Sequence, residues 1–209
     1  LDIILNHTGD VFEYEPDRYP TVGESPFAPY RDPRWDGKDY RVKGFYNRYR
    51  TALIPFAQGA CAQIQDKDVL RHAVWPIEFQ SPAYFTRKGR IDNWDYEPEF
   101  REGDFITLKD IYLGNGDVNL YESSPALLDL CGIYKFWMAY ADIDGYRVDT
   151  VKHIDMGAAR LFASNLQEFA QSIGKENFYL IAEITGGRER AFTTLEQTGM
   201  NGALGISDI

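Results

Sequence analysis

Apolar and polar positions alternate between two regimes along the chain. Leu1-Asp2-Ile3-Ile4-Leu5 is a short apolar run with β-branched residues and no helix-start signal, which predicts a buried strand. From Thr8 to about Asn119 the apolar period breaks up. Pro, Gly, Tyr, Asp and Arg dominate there, and turn signals such as Asp32-Pro33, Asp36-Gly37 and Arg87-Lys88-Gly89 separate short strand-like pieces. This stretch reads as an irregular inserted subdomain. Regular periodicity returns after Ser123-Ser124-Pro125, a cap followed by proline at the first helical position, and predicts a helix over 126–141. A strand over 144–148, an amphipathic helix over 156–173 closed by Gly174, a buried strand over 178–182 and a helix over 188–199 follow.

The order is a β/α alternation, which calls for a parallel sheet flanked by helices. A doubly wound nucleotide fold and a barrel both satisfy it. No strand is followed by GxGxxG or a phosphate-loop lysine, and Gly114-Asn115-Gly116 reads as a turn. The sequence shows no internal repeat and no low-complexity segment.

Composition narrows the partners. With 209 residues, 44% hydrophobic, the chain can bury a core, and no run approaches the roughly 18 apolar residues of a membrane helix. Leu1 to Leu5 lack the basic region and cleavage site of a signal peptide, so targeting is unreadable. The net charge of -10, from 32 acidic and 22 basic residues, repels a phosphate backbone. Neither nucleic acid nor a membrane is an expected partner, and oligomeric state is open. Cys61 and Cys131 form no CxxC or zinc pattern and are expected to be buried free thiols, which favours the cytoplasm over a disulfide-stapled secreted domain. The 14 Tyr, 13 Phe and 4 Trp suit sugar faces and ordinary cores alike. Trp35, Trp75, Trp94, Tyr14, Tyr30, Tyr40 and Tyr46 are therefore read chiefly as the insertion's small core, and the charges of Asp92 to Asp104 as a solvated face.

Polar groups gather at the C-terminal ends of the predicted strands: Asn6-His7 after the first, Gly145-Tyr146-Arg147-Val148-Asp149 running on to Lys152-His153, and Glu183. In a barrel that face carries the active site. Arg147 lies two positions before Asp149, so on an extended strand the two side chains share a side. Glycoside cleavage needs one carboxylate at the anomeric carbon and one carboxylic acid for the departing oxygen. Asp149 and Glu183 are the candidates. Taken singly, Asp149 with Arg147 is also a plausible structural ion pair and Glu183 a helix cap. His7, His72 and His153 have no zinc spacing. Asn6-His7-Thr8 spells a glycosylation sequon, but at a strand end inside an active-site mouth it is not expected to be used.

Together these segments resemble the signatures of the α-amylase family of glycoside hydrolases. Asp2 to His7 matches the region at the third strand, Gly145 to His153 the region at the fourth in the form Gly-x-Arg-x-Asp-x-x-Lys-His, and Glu183 the region at the fifth. Gly116-Asp117-Val118-Asn119-Leu120 loosely resembles a further one. The resemblance implies an α/β fold, a partial (β/α)8 TIM barrel over 1–7 and 120–209 with an irregular subdomain, 8–119, inserted after the third strand. It implies a retaining enzyme acting on an α-glucan or oligosaccharide, hydrolase or transglycosidase, with Asp149 as nucleophile, Glu183 as general acid and base and Arg147 as partner to the nucleophile. His7 is then expected to contact the bound glucosyl unit, and Lys152 and His153 to border the leaving-group subsites. The chemistry needs no cofactor; a structural calcium at Asn6 is an open alternative. The family's third carboxylate has no position in these residues, so the chain is expected to be a fragment, inactive alone. A non-catalytic relative is the competing class, though its sign, loss of Asp149 or Glu183, is missing.

Overall fold

Four short parallel strands and three helices arrange the first of two units. The structure, a computed structural model, describes residues 1–15, 32–46, 74 and 76–205, with the backbone of Glu24–Ser25, Ala28–Pro29 and Leu53–Pro55. Cys61, His72, Trp75 and Tyr30 lie outside the described residues. One unit joins Leu1–Asn6 to Leu113–Ile209, and the other is His7–Tyr112.

In the first unit, strands β1 (Asp2–Ile4), β2 (Gly145–Asp149), β3 (Tyr179–Ile184) and β4 (Gly202–Gly205) pair side by side in that order, all parallel. Asp2 stands opposite Arg147 and Ile4 opposite Asp149; Ala182 stands opposite Val148, which brings Glu183 level with Asp149. Side chains alternate across a strand. Ile3, Tyr146, Val148, Leu180, Ala182 and Ile184 are buried on one face, while Asp2, Arg147, Asp149 and Glu183 line the partly exposed other. Gly145 is required where it stands, because a Cβ there would lie 2.5 Å from the carbonyl oxygen of Tyr179.

Helix α1 (Pro125–Tyr140) begins as its sequence dictates: the Ser124 hydroxyl accepts from the Leu127 N–H at 3.1 Å, and Pro125 occupies the first turn. It is tied to the sheet by tyrosines, Tyr134 donating to the Ile4 carbonyl and Tyr146 to the Tyr134 carbonyl. Helix α2 (Met156–Ser172) buries Ala158, Ala159, Phe162, Ala163, Leu166 and Ala170 along one stripe, and α3 (Arg188–Thr198) ends at Gly199 in the left-handed conformation. Cys131 is a buried free thiol, whose burial pushes its pKa up to about 11. A further strand, not predicted from the sequence pattern, follows α3 at Gly202–Gly205.

In the second unit, Phe12–Tyr14, Val42–Tyr46 and Leu53–Pro55 form an antiparallel sheet. Phe12, Tyr14, Phe45 and Phe85 pack edge to face beside Tyr40, consistent with a small aromatic core, while Trp94 stays 38% exposed. The solvated face expected over Asp92 to Asp104 is overturned at two positions. Asp104 is fully buried, beside the buried Lys109, and Glu99 is buried with Oε1 accepting from the Asp92 and Asn93 N–H groups. Each of these carboxylates is satisfied by protein donors, the Asp104 pair being the Tyr14 hydroxyl and the Asp110 N–H, which is what permits its burial.

Candidate active site

Arg147 sits at the centre of the polar face of the first unit's sheet. Its Nη1 donates to Asp149 Oδ1 at 2.6 Å and to Asp2 Oδ1 at 2.8 Å, and its Nη2 lies 2.8 Å from Glu183 Oε1. Strand geometry produces this set. Arg147 and Asp149 share a side because they are two residues apart, Asp2 faces Arg147 across one ladder, and Glu183 reaches it from the next strand. The hydrogen bond to Asp2 foremost, then those to Asp149 and the charge of Glu183, hold the guanidinium above its ordinary pKa. The side chains of Asp149 and Glu183 are 22% and 16% exposed, enough for a ligand to reach them and far more sheltered than Asp2 at 68%.

Glu183 is held a second time. Its Oε2 accepts the Thr150 N–H at 3.0 Å. After Asp149 the chain turns left-handed at Thr150 and enters a single 3-10 turn, Val151–His153, with Val151 and His153 buried. The His153 carbonyl accepts from Asn6 Nδ2 at 3.1 Å, so Asn6 clamps this turn. Lys152 rides on it, partly exposed. His7 belongs to the other unit, where its ring stacks on Phe105 at 5.1 Å and its backbone bridges to Asp110. The structure thus gathers Asp149, Glu183 and Arg147 around one guanidinium, and Asn6 with Lys152 and His153 at one turn. Among the described residues no group of three or more His, Cys, Asp or Glu side chains could hold a metal, so the calcium expectation at Asn6 finds no acidic donor set there. Sequence reasoning missed Asp2 and the Thr150 N–H. The alternation of β1 offered a signal for Asp2, and nothing in the sequence did so for Thr150.

No family model matches the chain. An α-amylase of Streptomyces lividans is 30% identical over 195 residues, which cover 88% of this chain and 19% of that protein. Over most of its length the chain is similar to proteins of the α-amylase family. A second α-amylase-family relative, the cyclomaltodextrin glucanotransferase of Klebsiella oxytoca, is 27% identical over 114 residues, 54% of this chain and 16% of its own length. Among solved structures, an Anoxybacillus α-amylase superposes with a TM-score of 0.53 at 24% identity, covering 65% of this chain and 27% of that one, a likeness of fold. The chain spans less than a fifth of the length of the curated α-amylase-family relatives it matches.

Proposed function

We propose that this chain carries the nucleophile and the acid–base residue of a retaining enzyme that cleaves α-glucosidic bonds in α-glucans or oligosaccharides. The sheet is then a partial (β/α)8 barrel, with 8–119 inserted after its third strand. One observation carries the reading: Arg147 binds Asp149 and Glu183 at once, on adjacent parallel strands and at one level of the sheet.

With Arg147 on Oδ1, the other oxygen of Asp149 is turned toward the substrate and attacks the anomeric carbon. Glu183 gives its proton to the glycosidic oxygen as the carbon–oxygen bond breaks, leaving a glycosyl ester on Asp149. Glu183 then takes a proton from water, whose oxygen attacks the same carbon and releases Asp149. Direct attack of this kind calls for carboxyl groups about 5 to 5.5 Å apart. Lys152 and His153 border the leaving group.

The test uses the protein at its full natural length with a maltooligosaccharide series, sucrose and trehalose, resolving products over time. Shorter sugars are expected, and Asp149→Asn should lower turnover by about 10⁴-fold. Transglycosylation is the second reading, favoured by the glucanotransferase relative, and would appear as longer or rearranged sugars. A folded protein that turns over none of these sugars would overturn both.

A further inference from the structure

The residue after Asp149 bears two costs that its immediate surroundings do not explain. Thr150 has φ 52° and ψ 37°, a left-handed conformation that a β-branched side chain resists. Its hydroxyl oxygen is buried and finds no hydrogen-bond partner among the described residues, so the side chain does not anchor the turn. The turn is imposed from beyond it. Val151 is wholly buried, Ile154 is 2% exposed, the His153 N–H donates back to the Thr150 carbonyl at 2.9 Å, and Asn6 clamps the His153 carbonyl. Strain kept in place this way gathers where a site needs a particular geometry.

What the left-handed turn delivers is one aimed donor. The Thr150 N–H points at Glu183 Oε2, 3.0 Å away, while Arg147 holds Oε1. Between them the two donors fix both oxygens of the carboxylate and hence the plane of the group. We infer that Thr150 is a positioning residue: its strained backbone sets the orientation from which Glu183 exchanges protons with the glycosidic oxygen and with water. This rests on the reading of Glu183 as acid and base.

Two measurements on the full-length protein test it. Thr150→Gly keeps the N–H but removes the Cβ penalty and the buried hydroxyl, and frees the turn. The melting temperature should rise while kcat falls about tenfold, a modest fraction of what misplacing a reacting group can cost, with KM within about twofold. Thr150→Asn, which tolerates the left-handed conformation with a side chain in place, should keep kcat above that of the glycine variant. A role in folding alone would move the melting temperature and leave kcat where it was, and that result overturns the proposal. Independently of turnover, the Thr150 amide proton should resonate downfield in the unsubstituted protein and shift upfield in Glu183→Gln. An amide signal indifferent to that substitution also overturns it. If the unsubstituted protein cleaves no α-glucoside, the glycosidase reading falls, while the amide signal still decides whether Thr150 holds Glu183.

Discussion

Lys109 in the second unit and Arg147 in the first are each set among carboxylates, and solvent treats them very differently. Lys109 has no exposed side-chain surface; its Nζ lies 2.6 Å from Asp32 and 3.4 Å from Asp104, with the Phe12 and Tyr14 rings 4.9 and 4.5 Å away. Asp104 in turn accepts from the Tyr14 hydroxyl and the Asp110 N–H, and the Tyr14 oxygen accepts from the Gly89 N–H. These partners are themselves buried, so Lys109 could not exchange one without opening the core. Arg147 is 26% exposed and its carboxylates face outward from a sheet. A ligand could reach these contacts without opening the core. Ion clusters of similar composition thus serve either architecture or chemistry, according to whether burial leaves a way in.

The comparison breaks first at Lys109. Lys109→Met would leave Asp32 and Asp104 buried without their cation and should destabilise the second unit by about 3 to 5 kcal/mol in chemical denaturation. A loss under about 1 kcal/mol would mean that the cluster is not sealed. The next effect is alkaline. Burial first, then the charge of Asp104, raises the Tyr14 pKa, so the unfolded chain ionises this tyrosine before the folded one does. Burial pulls Lys109 down, but Asp104 and Asp32 outweigh it and raise its pKa, so its contribution is complete below the unfolded value and lost as pH rises through the folded one. Both signs agree: stability should fall as pH climbs above about 10. Calorimetry from neutral to alkaline pH should show this decline, flattened in Tyr14→Phe, and a melting temperature indifferent to alkali would count against the arrangement. The smallest stability effect is expected at the open cluster, where Arg147→Met should cost less than about 1 kcal/mol in the same denaturation assay, while turnover collapses.

Legibility followed the range of the forces involved. Helix α1 could be read from Ser124-Pro125 and its period because the cap that starts it lies within three residues. The pairing of Arg147 with Asp149 was legible because strand alternation is local. Gly202-Ala203-Leu204-Gly205 carries no alternating pattern, and only its partner Ile181–Ile184 makes it a strand. Asp104 looked like part of a charged surface because one of the donors that let it be buried, the Tyr14 hydroxyl, comes from 90 positions away. Asp2 meets Arg147 across 145 positions. The turn at Thr150 was invisible for a similar reason, since a threonine gives no sign of a left-handed backbone that buried neighbours impose.

Gly145 has a consequence that reaches well past its own position. The Tyr179 carbonyl leaves no room for even a methyl group there, and the same two strands carry Asp149 and Glu183 four residues further on, about 13 Å along the sheet. Gly145→Ala would wedge β2 from β3 at their base and splay them toward the tip, where the gap between the two carboxylates is set. The bare hydrogen of Gly145 therefore lets two strands close at their base, and a residue with no functional group of its own helps to set how near two carboxylates on neighbouring strands can stand.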